Sequence, residues 1–328
     1  MESLCVRVPR EKGEETRQRL ADAGLLNQDL RIEGEEGFLY IPVREPPEEP
    51  DLPTETRDFE ERETETDASD LLGYEPRFES VGDVALLEPE EGSEAGDALV
   101  EADNGIATAL RVESPVEGSE RTRRMSHVAG EEKTTTAHRE YGREFVVDLT
   151  NVYFTPRLAE ERERVASQVR EDETVFDMFA GVGPFTVAAA ERGARVIASD
   201  INERAVELLR ENAERNKVAE YVEAYNEDAR VVARRVAESG GADRVYMNLP
   251  HTADEFLGSA IEALRDDGGV VHYYDIRHED DLFEGAVEEI RKAAAAAGYE
   301  VEVLERVVVR SYAPYDYNVC VEACLSRR

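Results

Sequence analysis

From residue 174 onward, short apolar runs alternate with segments whose apolar residues recur at helical spacing. The apolar runs fit buried strands, and the segments between them fit helices that cover a sheet. Such an alternation predicts a mostly parallel sheet with right-handed crossovers. We therefore predict an α/β, doubly wound sheet with strands near 175–179, 195–199, 222–225, 242–247 and 269–274, and a final antiparallel pair at 301–309 and 317–325.

The pattern before this sheet indicates three further segments. Residues 1–44 form a small unit with strands at 4–8 and 37–43 and a helix at 14–23. Residues 45–70 contain four prolines and twelve acids against two arginines, so we predict an extended linker. Residues 71–150 contain strand patterns at 80–89, 102–112, 123–130 and 143–150 and predict a small α+β domain. The sheet domain then occupies residues 151–328.

The large net charge of the chain changes these predictions little. The 328 residues carry a net charge of −36, and only four of the 39 basic residues are lysine. An acidic, lysine-poor surface is typical of proteins in a very salty cytoplasm, where the Debye length is about 3 Å at 1 M salt. The net charge therefore describes the solvent and does not exclude an anionic partner.

Cysteine use and hydropathy indicate a cytoplasmic protein. The three cysteines, Cys5, Cys320 and Cys324, have neither zinc-ligand spacing nor a disulfide pattern. No apolar run is long enough for a membrane span, and the first residues have no apolar signal-peptide segment. We expect no membrane partner, and no metal.

A glycine turn follows the first strand of the sheet. Ala180-Gly181-Val182-Gly183 allows a ligand to approach the backbone, and Pro184 suits the first position of a helix. Strand, glycine turn, helix and strand ending at Asp200 form the pattern of a nucleotide site. A dinucleotide fold requires a third glycine where Thr186 stands, so a nicotinamide oxidoreductase is the weaker interpretation.

S-adenosylmethionine fits the acidic residues better. Asp177 precedes the turn, Asp200 can accept hydrogen bonds from ribose hydroxyls, and Asp228-Ala229 lies where adenine would be met. After the fourth strand, Asn248-Leu249-Pro250-His251 differs from the Asn-Pro-Pro-aromatic pattern of enzymes that methylate exocyclic amines. A ring nitrogen is therefore the more plausible target, and His251 is either a base or a structural, substrate-lining residue.

Residues 153–161 contain two pairs of residues that can be interpreted from their positions. Arg157 and Glu161 lie one helical turn apart, which favours a simple ion pair. Tyr153 and Phe154 precede this helix and are candidates for stacking on a base, although core packing is expected for one of them.

As a set, these motifs resemble the archaeal and eukaryotic tRNA (guanine-N1)-methyltransferases that modify guanosine 37, beside the anticodon. The resemblance covers about 70–276 well, and it implies a class I methyltransferase with a Rossmann-like sheet, a preceding α+β domain and a small N-terminal domain that contacts the tRNA. The matching segments are V-Y-F-T-P-R-L-A-E-E-R (152–162), D-M-F-A-G-V-G-P-F (177–185), D-I-N (200–202), E-D-A-R (227–230), M-N-L-P-H-T-A-D-E-F-L (247–257), H-Y-Y-D-I (272–276) and, more loosely, S-V-G-D-V-A-L-L-E (80–88).

The resemblance also implies roles for single residues. Glu161 would remove the N1 proton of guanine, Arg121 would stabilise charge on O6, and Asn248 would hold the guanine edge. Arg123 and Arg124 lie close enough to exchange roles with Arg121. The predicted cofactor residues are Arg162, Asp177, Phe179, Gly181, Gly183, Asp200, Ile201, Asp228, Ala229, Asn248 and Pro250, and the predicted substrate residues are Tyr153, Arg157 and His251.

Two alternatives remain beside methylation of guanosine 37. A wyosine-pathway enzyme on the same scaffold would methylate the tricyclic base or transfer an aminocarboxypropyl group. A noncatalytic tRNA-binding protein would keep only the pocket. In either case we expect a monomer that recognises tRNA by shape, stacking, base-edge contacts and arginine–phosphate pairs, since salt removes most counterion-release affinity.

Overall fold

A computed structural model of the chain describes residues 1–35, 37–47, 52–61, 66–102, 105–118 and 120–327. Contacts within the chain divide it into two compact units, Met1–Asp67 and Ala68–Arg328. Across these described ranges, no helix is both long enough and apolar enough to cross a bilayer.

The first unit is a four-stranded antiparallel sheet with one helix. Leu20 of the helix packs with Val6, Val8 and Ile41 of the two central strands. The strand order is β2-β3-β1-β4. The elements are β1 (Glu2–Pro9), α1 (Gly13–Asp22), β2 (Glu33–Glu35), β3 (Phe38–Pro42) and β4 (Thr54–Asp58).

Strand β4 corrects the assignment of residues 45–70 to a linker. Thr54–Asp58 pairs with β1, and Phe59 after it is buried, so this part of the segment belongs to the first unit. The strand was missed because it is an edge strand whose side chains are almost all exposed, which removes the alternation of apolar and polar residues. Residues 48–51 and 62–65 of the predicted linker lie outside the described residues.

The second unit begins with a small sheet of order β5-β6-β7-β8 and a separate hairpin, β9-β10. Residues 80–89, predicted as one strand, belong to a hairpin that turns at Gly82, and residues 93–101 form a helix that the pattern did not indicate. The strand predicted at 102–112 begins at Thr108; residues 103–104 are not described. The elements are α2 (Ala68–Leu72), β5 (Phe78–Val81), β6 (Val84–Leu87), α3 (Ser93–Glu101), β7 (Thr108–Val112), β8 (Met125–Gly130), β9 (Thr135–Glu140) and β10 (Arg143–Asp148).

A seven-stranded sheet follows, with strand order β13-β12-β11-β14-β15-β17-β16. Strands β11 to β15 are parallel and β17 is antiparallel to both of its neighbours, as predicted. The elements are α4 (Ala159–Ala166), β11 (Thr174–Asp177), α5 (Pro184–Ala190), β12 (Arg195–Asp200), α6 (Glu203–Arg215), β13 (Val222–Asn226), α7 (Ala229–Glu238), β14 (Arg244–Met247), α8 (Leu257–Glu262), β15 (Gly268–His278), α9 (Glu284–Ala297), β16 (Tyr299–Ala313) and β17 (Asp316–Arg327).

Helices cover both faces of this sheet. Val175 and Tyr274 belong to the core shared with α4, α5 and α6, whereas Phe176 and Tyr273 belong to the core shared with α7, α8 and α9. Adjacent residues of one strand thus serve opposite cores, as the two-residue repeat of a strand requires. The chain passes from β11 to β12 on one side and later to β14 on the other, so a crevice forms at the carboxyl ends of these strands.

Candidate active site

A cavity of about 510 Å³ lies at the carboxyl edge of the large sheet. Five predicted site residues, Arg157, Glu161, Asp177, Gly183 and His251, are described but are not part of its lining. The predicted residues that line it are Arg121, Tyr153, Arg162, Phe179, Gly181, Asp200, Ile201, Asp228, Ala229, Asn248 and Pro250.

The glycine turn forms one wall of this cavity. Gly181 has φ 54° and Gly183 has φ 88°, a region that other residues rarely adopt. A Cβ on Gly183 would lie 2.8 Å from Leu209 Cγ, so this glycine permits close packing of the turn on α6. Gly183 therefore shapes the turn, and Gly181 is the glycine that faces the cavity.

The Asp200 carboxylate anchors the turn. Its Oδ2 accepts a hydrogen bond from the Gly181 N–H at 2.8 Å, and its Oδ1 accepts one from the Asn202 N–H at 2.9 Å. Burial raises the pKa of Asp200, while these backbone donors lower it. Each oxygen keeps a second lone pair, so the carboxylate can also accept hydrogen bonds from vicinal hydroxyls of a ligand.

A flat apolar slot lies next to Asp200. The rings of Phe179 and Phe256 meet edge to face at 4.9 Å, and the Arg230 guanidinium lies 4.0 Å from the centroid of Phe256. Ile201 stays 47% exposed although it follows a buried strand, which leaves its side chain available to a ligand. Asp228 caps α7 by accepting a hydrogen bond from the Arg230 N–H at 2.8 Å. This arrangement suits an adenine ring with its ribose on Asp200.

Asp177 lies behind the turn and does not contact the cavity. Its Oδ2 accepts a hydrogen bond from the Thr186 hydroxyl at 2.8 Å. Burial raises the pKa of Asp177 to about 7, and the nearby charge of Asp200 acts in the same direction. We therefore correct its assignment from a cofactor contact to a support of the turn. The same hydrogen bond explains why threonine replaces a third glycine.

The opposite end of the cavity is built from distant segments. Arg121, with φ 55°, donates through Nη1 to the Pro250 carbonyl at 3.4 Å. The guanidinium groups of Arg121 and Arg123 lie 5.6 Å and 5.9 Å from the ring centroid of Tyr153. Of the arginines at 121, 123 and 124, Arg121 is the one that lines the cavity.

Tyr153 and Phe154 have separate environments. Both residues line the cavity. Phe154 is only 8% exposed and also belongs to the hydrophobic core, whereas Tyr153 is half-buried. The ring of Phe154 lies 6.3 Å from that of Phe145 and 5.2 Å from that of His138. Phe154 is therefore the core residue of the pair, and Tyr153 is the one free to stack on a base.

Glu161 is buried beside the cavity in a dense set of hydrogen bonds. The Tyr274 hydroxyl donates to its Oε1 at 2.7 Å, and Arg164 donates to both carboxylate oxygens at 2.8 Å. The predicted ion pair with Arg157 is wrong, because Arg157 is exposed and instead pairs with Glu79 at 3.1 Å. Leu158 and Arg162, three residues before and one residue after Glu161 in the chain, both line the cavity.

Arg162 holds the segment that carries Tyr153. Its Nε donates to Glu140 at 2.7 Å, and its Nη2 donates to the Thr155 carbonyl at 3.2 Å. The arginine is only 2% exposed, and the carboxylate of Glu140 compensates its buried charge. Substitution of Arg162 or Glu140 would leave the other as an unpaired buried charge. It would also release the segment that carries Tyr153.

A second layer of polar groups lies under Glu161. Arg164 also pairs with Glu322 at 2.6 Å, and His272 lies 3.3 Å from Glu322. Burial lowers the pKa of His272 and favours its neutral form. Burial opposes ionisation of Glu322, but hydrogen bonds from His272 and Gln168 and the charge of Arg164 lower its pKa. Glu161 and Glu322 thus flank one shared guanidinium.

Among the described residues, three side chains of this layer are arranged most like a set of metal ligands. The donor atoms of His272, Cys320 and Glu322 lie within 4.8 Å of one another. Burial raises the pKa of Cys320 well above its usual value, and the guanidinium of Arg164 already occupies Glu322. A cation would need a thiolate and would meet this arginine, so the group suits a protein hydrogen-bond network better than a metal.

The sequence interpretation missed the contribution of the C-terminal hairpin. Arg310, Tyr312 and Asn318 of β16 and β17 line the cavity. His251 lies outside the lining, with its Nε2 3.4 Å from the Tyr312 hydroxyl. The segment R-S-Y-A-P-Y-D-Y (310–317) is unusually rich in aromatic residues, a signal that could have indicated this surface.

Comparison with known proteins adds independent information. A sequence model of the TRM5/TYW2 methyltransferase domain matches residues 136–304, and one of the tRNA methyltransferase 5 N-terminal domain matches residues 5–51. The chain is 40% identical to tRNA (guanine(37)-N(1))-methyltransferase Trm5b of Pyrococcus abyssi, over 98% of each chain.

Two solved structures are similar across this architecture. The complex of aTrm5 with tRNALeu matches with a TM-score of 0.72 and 32% identity, over 98% of this chain and 99% of that one. TYW2 of Methanocaldococcus jannaschii in complex with AdoMet matches with a TM-score of 0.61 and 28% identity, over 77% of this chain and 100% of that one.

Proposed function

The chain belongs to the TRM5/TYW2 methyltransferase family, and we propose that it transfers the methyl group of S-adenosylmethionine to N1 of guanosine 37 in tRNA. One observation carries this proposal. A single cavity joins a nucleotide-shaped half at Gly181, Asp200 and Asp228 to a second half at Tyr153 and Asn248. A methyl donor and a planar acceptor base can therefore meet within one enclosed space.

The residues of the first half fit the cofactor. Asp200 offers oxygens to the ribose hydroxyls, and Phe179, Ile201 and Phe256 line the apolar part of this half, where an adenine ring would bind. Asp228 and Ala229 also line this half, and there the adenine edge would be recognised. S-adenosylmethionine, when bound, supplies a methyl group that is already activated on its sulfonium. The protein then has to orient the acceptor and move one proton.

The residues of the second half fit guanine. Tyr153 offers a ring face for stacking, and the Asn248 amide can pair with the polar edge of the base. The Arg121 guanidinium lines the same cavity as Asn248 and would stabilise negative charge on O6. Because N1 of guanine is nucleophilic only after its proton leaves, this charge is the one that develops in the reaction.

We assign removal of the N1 proton to Glu161. Its carboxylate is buried and held by Tyr274 and Arg164, and its chain neighbours Leu158 and Arg162 line the cavity. The role therefore requires the carboxylate to turn from Tyr274 towards the bound base, or to act through one water molecule. Arg164 contacts both oxygens and can follow such a rotation while keeping one hydrogen bond.

The substrate is tRNA, and we assign the N-terminal unit to contacts with the tRNA body. The match of residues 5–51 to the tRNA methyltransferase 5 N-terminal domain supports this role. We expect one chain to act alone, because a large asymmetric substrate requires no symmetric partner. Residues 71–150 and 151–328 would then act together as one catalytic body.

A wyosine-pathway transfer on the same scaffold is the second candidate. The TYW2 structure supports it, but that likeness covers 77% of this chain, against 98% for the Pyrococcus relative. The nucleotide half alone does not separate the two reactions. Nucleoside analysis does so directly.

The test uses purified protein, unmodified tRNA carrying guanosine 37 and methyl-labelled S-adenosylmethionine. After digestion, methyl label in 1-methylguanosine supports the proposal. A parallel reaction uses tRNA carrying 4-demethylwyosine at position 37 and S-adenosylmethionine labelled either in its methyl or in its aminocarboxypropyl group, and label in the product nucleoside supports the wyosine pathway. Unlabelled tRNA in every reaction indicates a binding protein. Glu161→Gln should lower the methylation rate by about 100-fold, within the range for general-base catalysis, with little change in cofactor affinity.

Glu160→Gln is the matched control, because Glu160 is the exposed neighbour on the same helix. It should methylate at the rate of the unaltered protein. Full activity of Glu161→Gln would remove Glu161 as the base and leave the rest of the proposal intact.

A further inference from the structure

An aromatic surface continues from the cavity mouth onto the tip of the C-terminal hairpin. We call it the tip surface and define it by His251, His278, Tyr312 and Tyr315. Tyr312 is 48% exposed and also lines the cavity, and Tyr315 is 64% exposed in the turn between β16 and β17. The surface therefore begins inside the proposed base pocket and ends in solvent.

The rings of this surface are held in place in pairs. His251 meets Tyr312 edge to face at 5.4 Å, and His278 lies 6.2 Å from Tyr315 with the rings tilted by 39°. His251 has φ 82° and Tyr315 has φ 68°, a backbone region that is unfavourable for residues other than glycine. Exposed rings held on strained backbone do not serve a core, so their geometry needs another explanation.

The charges around the tip surface exclude a phosphate site. His278 is followed directly by Glu279, Asp280 and Asp281, and Tyr315 is followed by Asp316. His278 itself pairs with Asp280 at 3.3 Å. These carboxylates repel a phosphate backbone, whereas the faces of the two tyrosines can accept an uncharged, planar partner. Arg310 lies 6.0 Å from the Tyr312 ring centroid, on the side of the cavity.

We propose that the tip surface binds the unpaired nucleotides next to the target nucleotide, by stacking their bases on Tyr312 and Tyr315. The inference rests on the proposed function, because the target base must leave its stack to enter the cavity. Its neighbours then lose a stacking partner, and aromatic side chains commonly replace such a partner in single-stranded RNA recognition. Tyr312 itself lines the cavity, so it can meet a nucleotide next to the target nucleotide.

This surface also explains how a protein of net charge −36 can bind RNA in salt. Phosphate contacts lose affinity steeply as salt rises, because they depend on release of counterions. Stacking on a tyrosine does not depend on counterions. The part of the affinity due to the tip surface should therefore persist at high salt.

The test uses the full-length protein and tRNA transcripts in which 2-aminopurine replaces the nucleotide on either side of guanosine 37. Stacking on a tyrosine should quench the 2-aminopurine fluorescence, at one or both positions, and this signal requires no turnover. Tyr312→Ala and Tyr315→Ala should each lose this quenching at the position that the ring contacts. Each should raise the KM for tRNA about tenfold, as expected for one base–aromatic contact. The ratio of variant to unaltered KM should be the same at 0.2 M and 2 M KCl.

Three further variants make the result specific. Tyr312→Phe and Tyr315→Phe keep the ring and should retain the quenching. Tyr221→Ala removes a tyrosine of 39% exposure before β13, at the opposite edge of the sheet, and should change neither KM nor fluorescence. Affinity for S-adenosylmethionine should be equal in all variants.

The inference is overturned if both alanine variants retain the unaltered KM and quenching. It is also overturned if they lose cofactor affinity in parallel, since the rings would then serve the fold of the hairpin. The proposed function fails separately, if the unaltered protein forms no 1-methylguanosine while the fluorescence change at the flanking positions still reports stacking.

Discussion

The two halves of the cavity are built in different ways. The cofactor half comes mostly from one stretch of chain, residues 177–230, to which Phe256 is added, and it depends on backbone hydrogen bonds such as that from Gly181 N–H to Asp200. The target half takes Arg121, Tyr153, Asn248 and Arg310 from four separate parts of the chain. A conserved ligand can thus be bound by local geometry, whereas recognition of one base in a large substrate is assembled from distant segments.

The forces in the two halves differ as well. Buried ion pairs hold the target half, with Arg162 on Glu140 and Arg164 on Glu161. Buried pairs are screened by salt much less than exposed ones, so these contacts should persist at high salt. The cofactor half contains no such pair among its described residues around Asp200, and relies on uncharged donors.

The largest expected effect tests the cofactor half. Asp200→Asn removes the charge that receives the Gly181 and Asn202 N–H groups and the proposed ribose hydroxyls. Hydrogen bonds to a charged group contribute about 1.5–3 kcal/mol, so we expect S-adenosylmethionine to bind on the order of 100-fold more weakly. Titration calorimetry measures this affinity. Glu207→Gln, an exposed substitution on α6, is the control, and unaltered binding in Asp200→Asn would refute the assignment.

An intermediate effect tests the target half. Tyr274→Phe removes the hydroxyl that holds Glu161 and should lower kcat about tenfold, which corresponds to about 1.4 kcal/mol. The KM for tRNA and the affinity for S-adenosylmethionine should stay unchanged, because Tyr274 contacts neither half of the cavity. Single-turnover methylation separates these quantities.

Tyr273→Phe provides the matched control. Tyr273 is the adjacent residue on β15, is equally buried, and donates its hydroxyl to Glu289 at 2.8 Å on the opposite face of the sheet. If both substitutions lowered kcat equally, the effect would belong to the stability of the sheet and not to Glu161.

The smallest effect on activity concerns Asp177, under the cofactor half. Its folded pKa of about 7 lies above the ordinary value of 3.8, so folding favours the protonated form. The stability that Asp177 contributes is complete below about pH 4 and is lost as pH rises through 7. Asp177→Asn should therefore become more stable relative to the unaltered protein between pH 5 and pH 8.

Urea unfolding at the two pH values measures this difference. Asp172→Asn, an exposed substitution before β11, should show no such change with pH. An equal pH dependence in Asp177→Asn and the unaltered protein would mean that Asp177 titrates normally in the folded state.

Sequence patterns predicted the large sheet well and its surroundings less well. The approximate positions of its strands, the parallel direction of the first five and the antiparallel final pair were confirmed, because buried parallel strands are apolar runs. Strand β4 and helix α3 were missed. An exposed edge strand lacks alternation, and α3 packs only on a small sheet of its own unit.

Within the site, the sequence alone determined the glycine turn, the acids at the strand ends and the family. These features depend on residues that are close in the chain or on a fixed position along a strand, so their order carries the information. It also indicated which residue types the reaction needs.

Only the tertiary structure decided which of these residues meet. It placed Asp177 behind the turn, separated Arg157 from Glu161, selected Arg121 among three arginines and brought Tyr312 to the cavity mouth. The physical reason is that such contacts join residues far apart in the chain. Their geometry depends on how helices, strands and loops pack together, which no local pattern of residues contains.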